Sequence, residues 1–131
     1  MVDTPQKVYK LLLVDDDQFL IDMYSLKFTQ NGHTVQPCFS VDEAIKLLKG
    51  GFVPDAIIFD LVMPGKDGFD LLRAMKEEKL APNATRIALT NQSADEERKK
   101  TEELGADAYI LKAMTIPSEV VRLVVEAIAK K

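Results

Sequence analysis

Ile57-Ile58-Phe59-Asp60-Leu61-Val62-Met63-Pro64-Gly65-Lys66-Asp67-Gly68 is the stretch on which the reading of this chain turns. The apolar run from Ala56 to Phe59 stops at a carboxylate, Asp60, and a loop built on Pro64, Gly65 and Gly68 follows. That pattern describes a buried strand ending in an acid. Leu61, Val62 and Met63 are apolar where a solvated loop would be polar, so the loop is expected to pack and to hold Asp60 in place. A fixed carboxylate at a strand end can act as a nucleophile or a metal ligand. Taken alone, Asp60 has a plainer explanation as the point where the strand meets water. Its chemistry depends on what gathers round it.

Working back toward the N-terminus, Pro54 leads into this strand and Gly50-Gly51 closes the helix before it. Ser40-Val41-Asp42-Glu43 opens that helix as a capping box, with Val41, Ala44, Ile45, Leu47 and Leu48 on its apolar side. Thr34 to Phe39 makes a short strand whose Pro37 has no N–H for a ladder, which assigns it to a sheet edge. His33, the only histidine, has no companion ligand and is expected at the surface. Asn31-Gly32 ends a helix on which Phe19, Leu20, Met23, Tyr24 and Leu26 recur at helical spacing. Val8 to Val14, interrupted only by Lys10, is the first strand, and Asp15-Asp16-Asp17 stops it. One of these acids suffices as a helix N-cap. Adjacent carboxylates repel unless a cation is present, so two are left to explain.

Toward the C-terminus, Asp67 is expected to cap a helix with Phe69, Leu72 and Met75 inward and Arg73, Lys76, Glu77 and Glu78 outward. Pro82-Asn83 turns the chain into a strand, Arg86 to Thr90. Ser93-Ala94-Asp95-Glu96 resembles a second capping box, and the helix it opens, 94–104, is nearly all charged. Asp95–Lys99 and Glu96–Lys100 have the i,i+4 spacing of ion pairs, and Ala94 and Leu104 are almost its only apolar anchors. Such a helix packs weakly and moves easily. Asp107 to Leu111 is a fifth strand ending at Lys112, and a loop, Ala113 to Pro117, leads into a last helix, 117–130. Its Val120, Val121, Leu123, Val124, Val125 and Ile128 exceed one core-facing stripe, which implies either a partner surface or a broad buried face on a doubly covered sheet.

At 131 residues, 47% hydrophobic and 29% charged, the chain has the size of one domain, 1–131 with a core of about 7–130. The net charge of -4 and the lack of a basic stripe argue against direct nucleic-acid binding. A single cysteine, Cys38, excludes an internal disulfide, and no Cys/His cluster offers a zinc site. No apolar run approaches a membrane span, and the polar start Met1 to Lys10 lacks a signal peptide's apolar core. A soluble, cytoplasmic protein without membrane contact is expected.

Five strands alternating with five helices predict an α/β fold, a doubly wound five-stranded parallel sheet with helices on both faces. Sites in such folds lie beyond the carboxyl ends of the strands, where strand order reverses. Asp15 and Asp16 follow the first strand, Asp60 the third, Thr90 ends the fourth and Lys112 follows the fifth. Each has a dull explanation singly. Together they bring three acids, a hydroxyl and a lysine to one crevice.

These residues, in this order and spacing, resemble the receiver domain of bacterial two-component response regulators over essentially the whole chain. The similarity runs from Leu11-Leu12-Leu13-Val14-Asp15-Asp16-Asp17 through the Asp60 to Gly68 loop and Ala88-Leu89-Thr90 to Tyr109-Ile110-Leu111-Lys112. It implies a flavodoxin-like sheet of strand order 2-1-3-4-5, which agrees with Pro37 at an edge. It also implies that Asp60 accepts a phosphoryl group from a phosphohistidine donor, either a sensor histidine kinase or a histidine phosphotransfer protein. Asp16 would bind Mg²⁺ directly, Asp15 largely through water, and Val62 through its backbone carbonyl. Thr90 and Tyr109 would be the switch: Thr90 moves inward, Tyr109 turns from exposed to buried, and helix 94–104, strand 107–111 and helix 117–130 present the changed surface to a downstream output protein or domain. Phosphorylation-dependent homodimerisation is compatible with that surface.

The chemistry suits the residue types independently. A carboxylate attacking an anionic phosphoryl group beside other carboxylates requires a hard cation on oxygen ligands. Lys112 and the Thr90 hydroxyl can each meet an equatorial phosphoryl oxygen, where charge lies in the transition state. The sequence departs from the commonest family pattern at Ala113, where a proline is usual. Asn91, Val62 and Gln92 flank the site at positions that tune access and hydrolysis in the family.

Three other functions compete. A flavin carrier would need a phosphate cradle after the first strand, where Asp15-Asp16-Asp17 would repel a phosphate. A phosphohydrolase with an aspartyl nucleophile commonly has a second acid two residues on, where this chain has Val62. No general acid stands out, so the chain is expected to catalyse its own phosphorylation and dephosphorylation and not to be an enzyme toward outside substrates. An unphosphorylated interaction module on the same fold is the remaining alternative. The last helix ends near Lys130-Lys131, so the chain either acts alone by docking or is one domain of a longer regulator.

Overall fold

The apolar runs of the sequence form strands because both faces of the sheet they build are covered, so no side of a strand has to meet water. The computed structural model describes residues 7–131, and what was expected of the start of the chain before Lys7 lies outside the described residues. The elements are β1 (Lys10–Val14), α1 (Gln18–Gln30), β2 (Thr34–Cys38), α2 (Val41–Lys49), β3 (Ala56–Phe59), α3 (Gly68–Glu77), β4 (Thr85–Thr90), α4 (Asp95–Glu103), β5 (Ala108–Leu111) and α5 (Pro117–Ala129). All strand pairs are parallel and the order is β2-β1-β3-β4-β5, as expected, with Pro37 on the edge strand. The order reverses between β1 and β3, where Val14 stands beside Phe59 in register.

Strand residues alternate between two cores. Leu12, Val14, Ile57, Phe59 and Ala88 pack with Val41, Ala44 and Leu48 of α2 and Leu71, Leu72 and Met75 of α3. Leu11, Leu13, Ile58, Ile87, Leu89 and Ile110 pack with Ile21, Tyr24 and Phe28 of α1 and Val120, Val121 and Val124 of α5. Each fully buried Leu or Ile contributes about 1.5–3 kcal/mol relative to exposure. On the broad apolar surface of α5, Leu123, Val125 and Ile128 are partly buried and packed against this core as well. Among the described residues no helix is long and apolar enough to cross a membrane.

Several local expectations are corrected. The apolar face of α1 is Ile21, Tyr24 and Phe28, while Phe19 and Leu26 are exposed. In α3 the inward face includes Leu71 with Leu72 and Met75, and Phe69 is only partly buried. His33 is not a surface residue: it is buried, stacks on Tyr9 and takes the Tyr9 N–H on Nδ1 at 3.1 Å, so the strand start and the turn after α1 hold it in place. Ser40 Oγ caps α2 through the Glu43 N–H at 3.2 Å, but the Glu43 carboxylate reaches past Ser40 to the Phe39 N–H at 2.8 Å. Ser93 caps nothing, because α4 begins one residue later than the capping-box pattern and Ala94 occupies the cap. Among the described residues neither Asp95–Lys99 nor Glu96–Lys100 forms an ion pair; Arg98 meets Glu102 at 3.9 Å, and Lys100 lies 4.3 Å over the Phe69 ring.

Candidate functional site

The site is built where β1 and β3 end side by side. Val14 O accepts the Asp60 N–H at 3.0 Å and Cys38 O accepts the Asp15 N–H at 3.1 Å, so the sheet ladder itself fixes both acids at the carboxyl edge. Of the three consecutive acids, Asp17 is the N-cap of α1, accepting from the Leu20 N–H at 3.2 Å. Asp15 is buried at 4% exposure and accepts the Asp17 N–H at 3.0 Å, while Asp16 is exposed. The cap and the two remaining acids are thus separated in role, as the repulsion argument required.

Asp60 has its two oxygens assigned. Oδ1 accepts from the Leu61 N–H at 2.7 Å and lies 3.4 Å from the Val62 N, and Oδ2 accepts from Lys112 Nζ at 3.0 Å. The loop after it is packed as expected through Leu61 and Met63, but Val62 between them is 58% exposed. Behind it, Gly68 opens α3 against the strand end: a Cβ there would lie 2.5 Å from the Asp60 carbonyl oxygen and 3.0 Å from Leu61 Cα. Only glycine allows this approach. Asp67 and Asp70 then exchange side-chain and backbone hydrogen bonds in a full capping box.

Lys112 reaches in from a short 3₁₀ turn, Lys112–Met114, after β5. Its Nζ donates to Asp15 Oδ2 at 2.6 Å and to Asp60 Oδ2 at 3.0 Å, and all three side chains are largely buried. Burial pushes the Asp15 carboxyl above its usual range, against the opposing pull of Lys112 and the Asp17 N–H. Burial favours the neutral amine of Lys112, yet its hydrogen bond to Asp15 and the charges of Asp15 and Asp60 outweigh this and raise it. One carboxylate oxygen each from Asp15, Asp16 and Asp60 lies within 4.8 Å of the others. Three carboxylates against one ammonium leave the crevice short of positive charge, and an all-oxygen donor set of this size suits a hard divalent cation.

Thr90 is fully buried at the end of β4, and its Oγ accepts the Gln92 N–H at 3.2 Å. Gln92 O in turn accepts the Tyr109 hydroxyl, which leaves Tyr109 half-buried with the Arg98 guanidinium 5.5 Å over its ring. The structure therefore brings Asp15, Asp16, Asp60 and Lys112 into one cluster and ties Thr90 to Tyr109 through one residue's backbone. That tie had no signal in side-chain identity, because a peptide group makes it. Gly68 was legible only as a loop glycine; its role comes from what a Cβ would strike.

The response regulator receiver domain family model matches residues 11–124. The chain belongs to that family. Response regulator SaeR of Staphylococcus aureus is 34% identical over 111 residues, 85% of this chain and 46% of the relative, so this receiver domain spans about half the length of the curated relatives it matches. The receiver domain of Francisella response regulator 1452 superposes with a TM-score of 0.83 at 26% identity, covering 93% of this chain and 98% of that one. A CheY-like response regulator receiver domain protein from Methanospirillum hungatei gives 0.84 at 26% identity over 95% and 96% of the two chains. The flavodoxin-like architecture of five parallel strands and five helices is common to them.

Proposed function

We propose that this receiver domain, a single unit with its core at about 7–130, accepts a phosphoryl group on Asp60 from a phosphohistidine of a sensor histidine kinase or a histidine phosphotransfer protein. The observation that carries this is the Lys112 ammonium held between Asp15 and Asp60, at 2.6 and 3.0 Å, beside a third acid. Asp15, Asp16 and Asp60, with the Val62 carbonyl, would hold Mg²⁺. When bound, the cation supplies the positive charge that lets a carboxylate approach an anionic phosphoryl group.

The protein's own groups divide the rest. An Asp60 carboxylate oxygen forms the new bond to phosphorus as the phosphorus–nitrogen bond of the donor histidine breaks, and the imidazole leaves with the electron pair. Lys112, already bonded to Asp60, follows the transferred group and pairs with one of its oxygens. Thr90 meets another by giving up the Gln92 N–H, and that release is felt at Tyr109, whose hydroxyl rests on the same residue's carbonyl. Helix α4, β5 and α5 then present an altered face to a downstream protein, a linked output domain or a second copy. The chain acts on itself alone in this scheme and turns over no outside substrate.

Intact-mass analysis after incubation with acetyl phosphate tests it. A gain of one phosphoryl group that needs Mg²⁺ and is lost in Asp60→Asn is expected. If neither a mass gain nor a beryllofluoride-induced change in the amide spectrum occurs in folded protein with Mg²⁺, Asp60 is not an acceptor and the fold serves as an unphosphorylated interaction module.

A further inference from the structure

Tyr24 points inward from α1 and is only 4% exposed, within the core shared with Leu13 and Ile110. A phenylalanine or leucine would fill that space as well, and a hydroxyl is costly to bury unless it has a partner. Among the described residues the Tyr24 hydroxyl has no protein partner. It is also not one of the sealed oxygens that lack one, which are Ser25 Oγ and Glu97 Oε2. Tyr24 lines a groove of ≈ 660 Å³ together with Lys112, Asn91, Leu20 and Met114. Burial raises the phenol above its ordinary 10.0, and of the charged groups acting on it Lys112 is the strongest, ahead of Asp15 and Asp60. The hydroxyl is therefore neutral at any working pH, able both to donate and to accept. The Lys112 ammonium has three protons. Two go to Asp15 and Asp60, and among the described residues the third has no acceptor.

We propose that Tyr24 is a positioning residue for phosphoryl transfer. Its hydroxyl oxygen accepts, through one water on the groove side, the hydrogen bond that the third N–H of the Lys112 ammonium can donate, and steadies Nζ while its bonds to the carboxylates are exchanged for a bond to a phosphoryl oxygen. The inference rests on Asp60 as phosphoacceptor. It explains why a tyrosine stands on the buried face of α1 next to the crevice. Without that third contact, an ammonium leaving Asp15 is held on one side only, and its placement against the transferred group loosens.

The test is Tyr24→Phe, which keeps the ring and the packing. Two readouts separate the outcomes: the Lys112 Nζ resonance in metal-free protein, and the rates of acyl-phosphate formation and hydrolysis with acetyl phosphate and Mg²⁺, followed by intact mass. A displaced or faster-exchanging Nζ signal is expected, with phosphorylation slower by about tenfold, the worth of one hydrogen bond to a charged group, and the thermal midpoint kept. An unmoved Nζ signal with unmoved rates, in a wild type that is phosphorylated, overturns the proposal. So does a change in thermal midpoint alone, which would make Tyr24 merely structural. If the wild type takes no phosphoryl group and its amide spectrum does not respond to beryllofluoride, the acceptor role of Asp60 falls, and the Nζ signal alone decides whether Tyr24 holds Lys112.

Discussion

Helices α3 and α4 each follow a strand that ends at a residue of the proposed site, Asp60 before one and Thr90 before the other, yet they are attached in opposite ways. α3 has a complete capping box, buries Leu71, Leu72 and Met75, and begins at a glycine pressed against the Asp60 carbonyl. α4 has no side-chain cap and buries a single residue, Thr101, whose hydroxyl is spent on the Arg98 carbonyl of its own helix. The Asp60 side of the crevice is thus rigidly backed, and the Thr90 side is loosely backed. Under the proposed function, a strand end that holds a nucleophile in register and a helix that moves afterward call for those two opposite constructions.

The largest test of the contrast is Leu72→Ala. Leu72 is fully buried in the α2–α3 core, and truncation there is expected to cost about 2–5 kcal/mol by urea denaturation. Next is Gly68→Ala. The new methyl would strike backbone, which cannot rotate away, so a loss of about 1–3 kcal/mol is expected together with amide shifts at Asp60 and Leu61. An unchanged midpoint in Gly68→Ala would mean that α3 does not bear on the end of β3. Alanine replacements of the exposed charged residues of α4 should each fall within about 0.5 kcal/mol.

One substitution in α4 runs the other way. Ala94 already has the extended backbone of an N-cap, φ -69 and ψ 138, so Ala94→Ser supplies the missing acceptor without remodelling the loop. A gain of about 1 kcal/mol is expected, seen as slower amide exchange confined to α4. If the output face depends on a mobile α4, the same substitution weakens the response to beryllofluoride while leaving Asp60 phosphorylation intact.

What could be read from the sequence follows the same division. The parallel α/β alternation, the edge position of Pro37, the Asp67 cap and the meeting of Asp15, Asp16, Asp60 and Lys112 follow from hydrophobic period and strand-end chemistry, which a one-dimensional pattern contains, while the strand order comes from the resemblance to the family. The misjudged features depend on a shift of one residue or on three-dimensional company. Ser93-Ala94-Asp95-Glu96 fits the capping-box template, but α4 starts one residue late and strands Ser93 outside it. His33 lacks any ligand companion in sequence, yet Tyr9, 24 residues earlier, brings both an N–H and a ring to it. Phe19 and Leu26 share the spacing of the core residues of α1 but lie off its buried arc. Tyr24 was visible as part of the helical pattern only. Its nearness to Lys112 depends on how α1 is rotated against β5, which spacing alone does not determine.

The finest test of how α4 is attached uses Tyr109 as a reporter. Burial raises its phenol above 10.0, Glu97 raises it further, Arg98 opposes, and Asp60 adds a smaller upward push. Because the folded value lies above the unfolded one, the neutral phenol contributes stability that is fully present below pH 10 and is lost as pH rises through the folded value. Glu97→Gln removes an upward push from α4, so Tyr109 should titrate lower, toward 10.0; Arg98→Gln removes the opposing one, so it should titrate higher. Following the Tyr109 Cζ resonance through alkaline titration separates it from Tyr9 and Tyr24. Opposite shifts in the two variants mean that α4 rests against the phenol in the unphosphorylated protein, and that its looseness is one of weak attachment. If both variants titrate like the wild type, α4 spends its time away from Tyr109, and the Gln92 carbonyl alone holds the hydroxyl. Adding Ala94→Ser to either variant should enlarge its shift, because a capped helix keeps its charges nearer the ring.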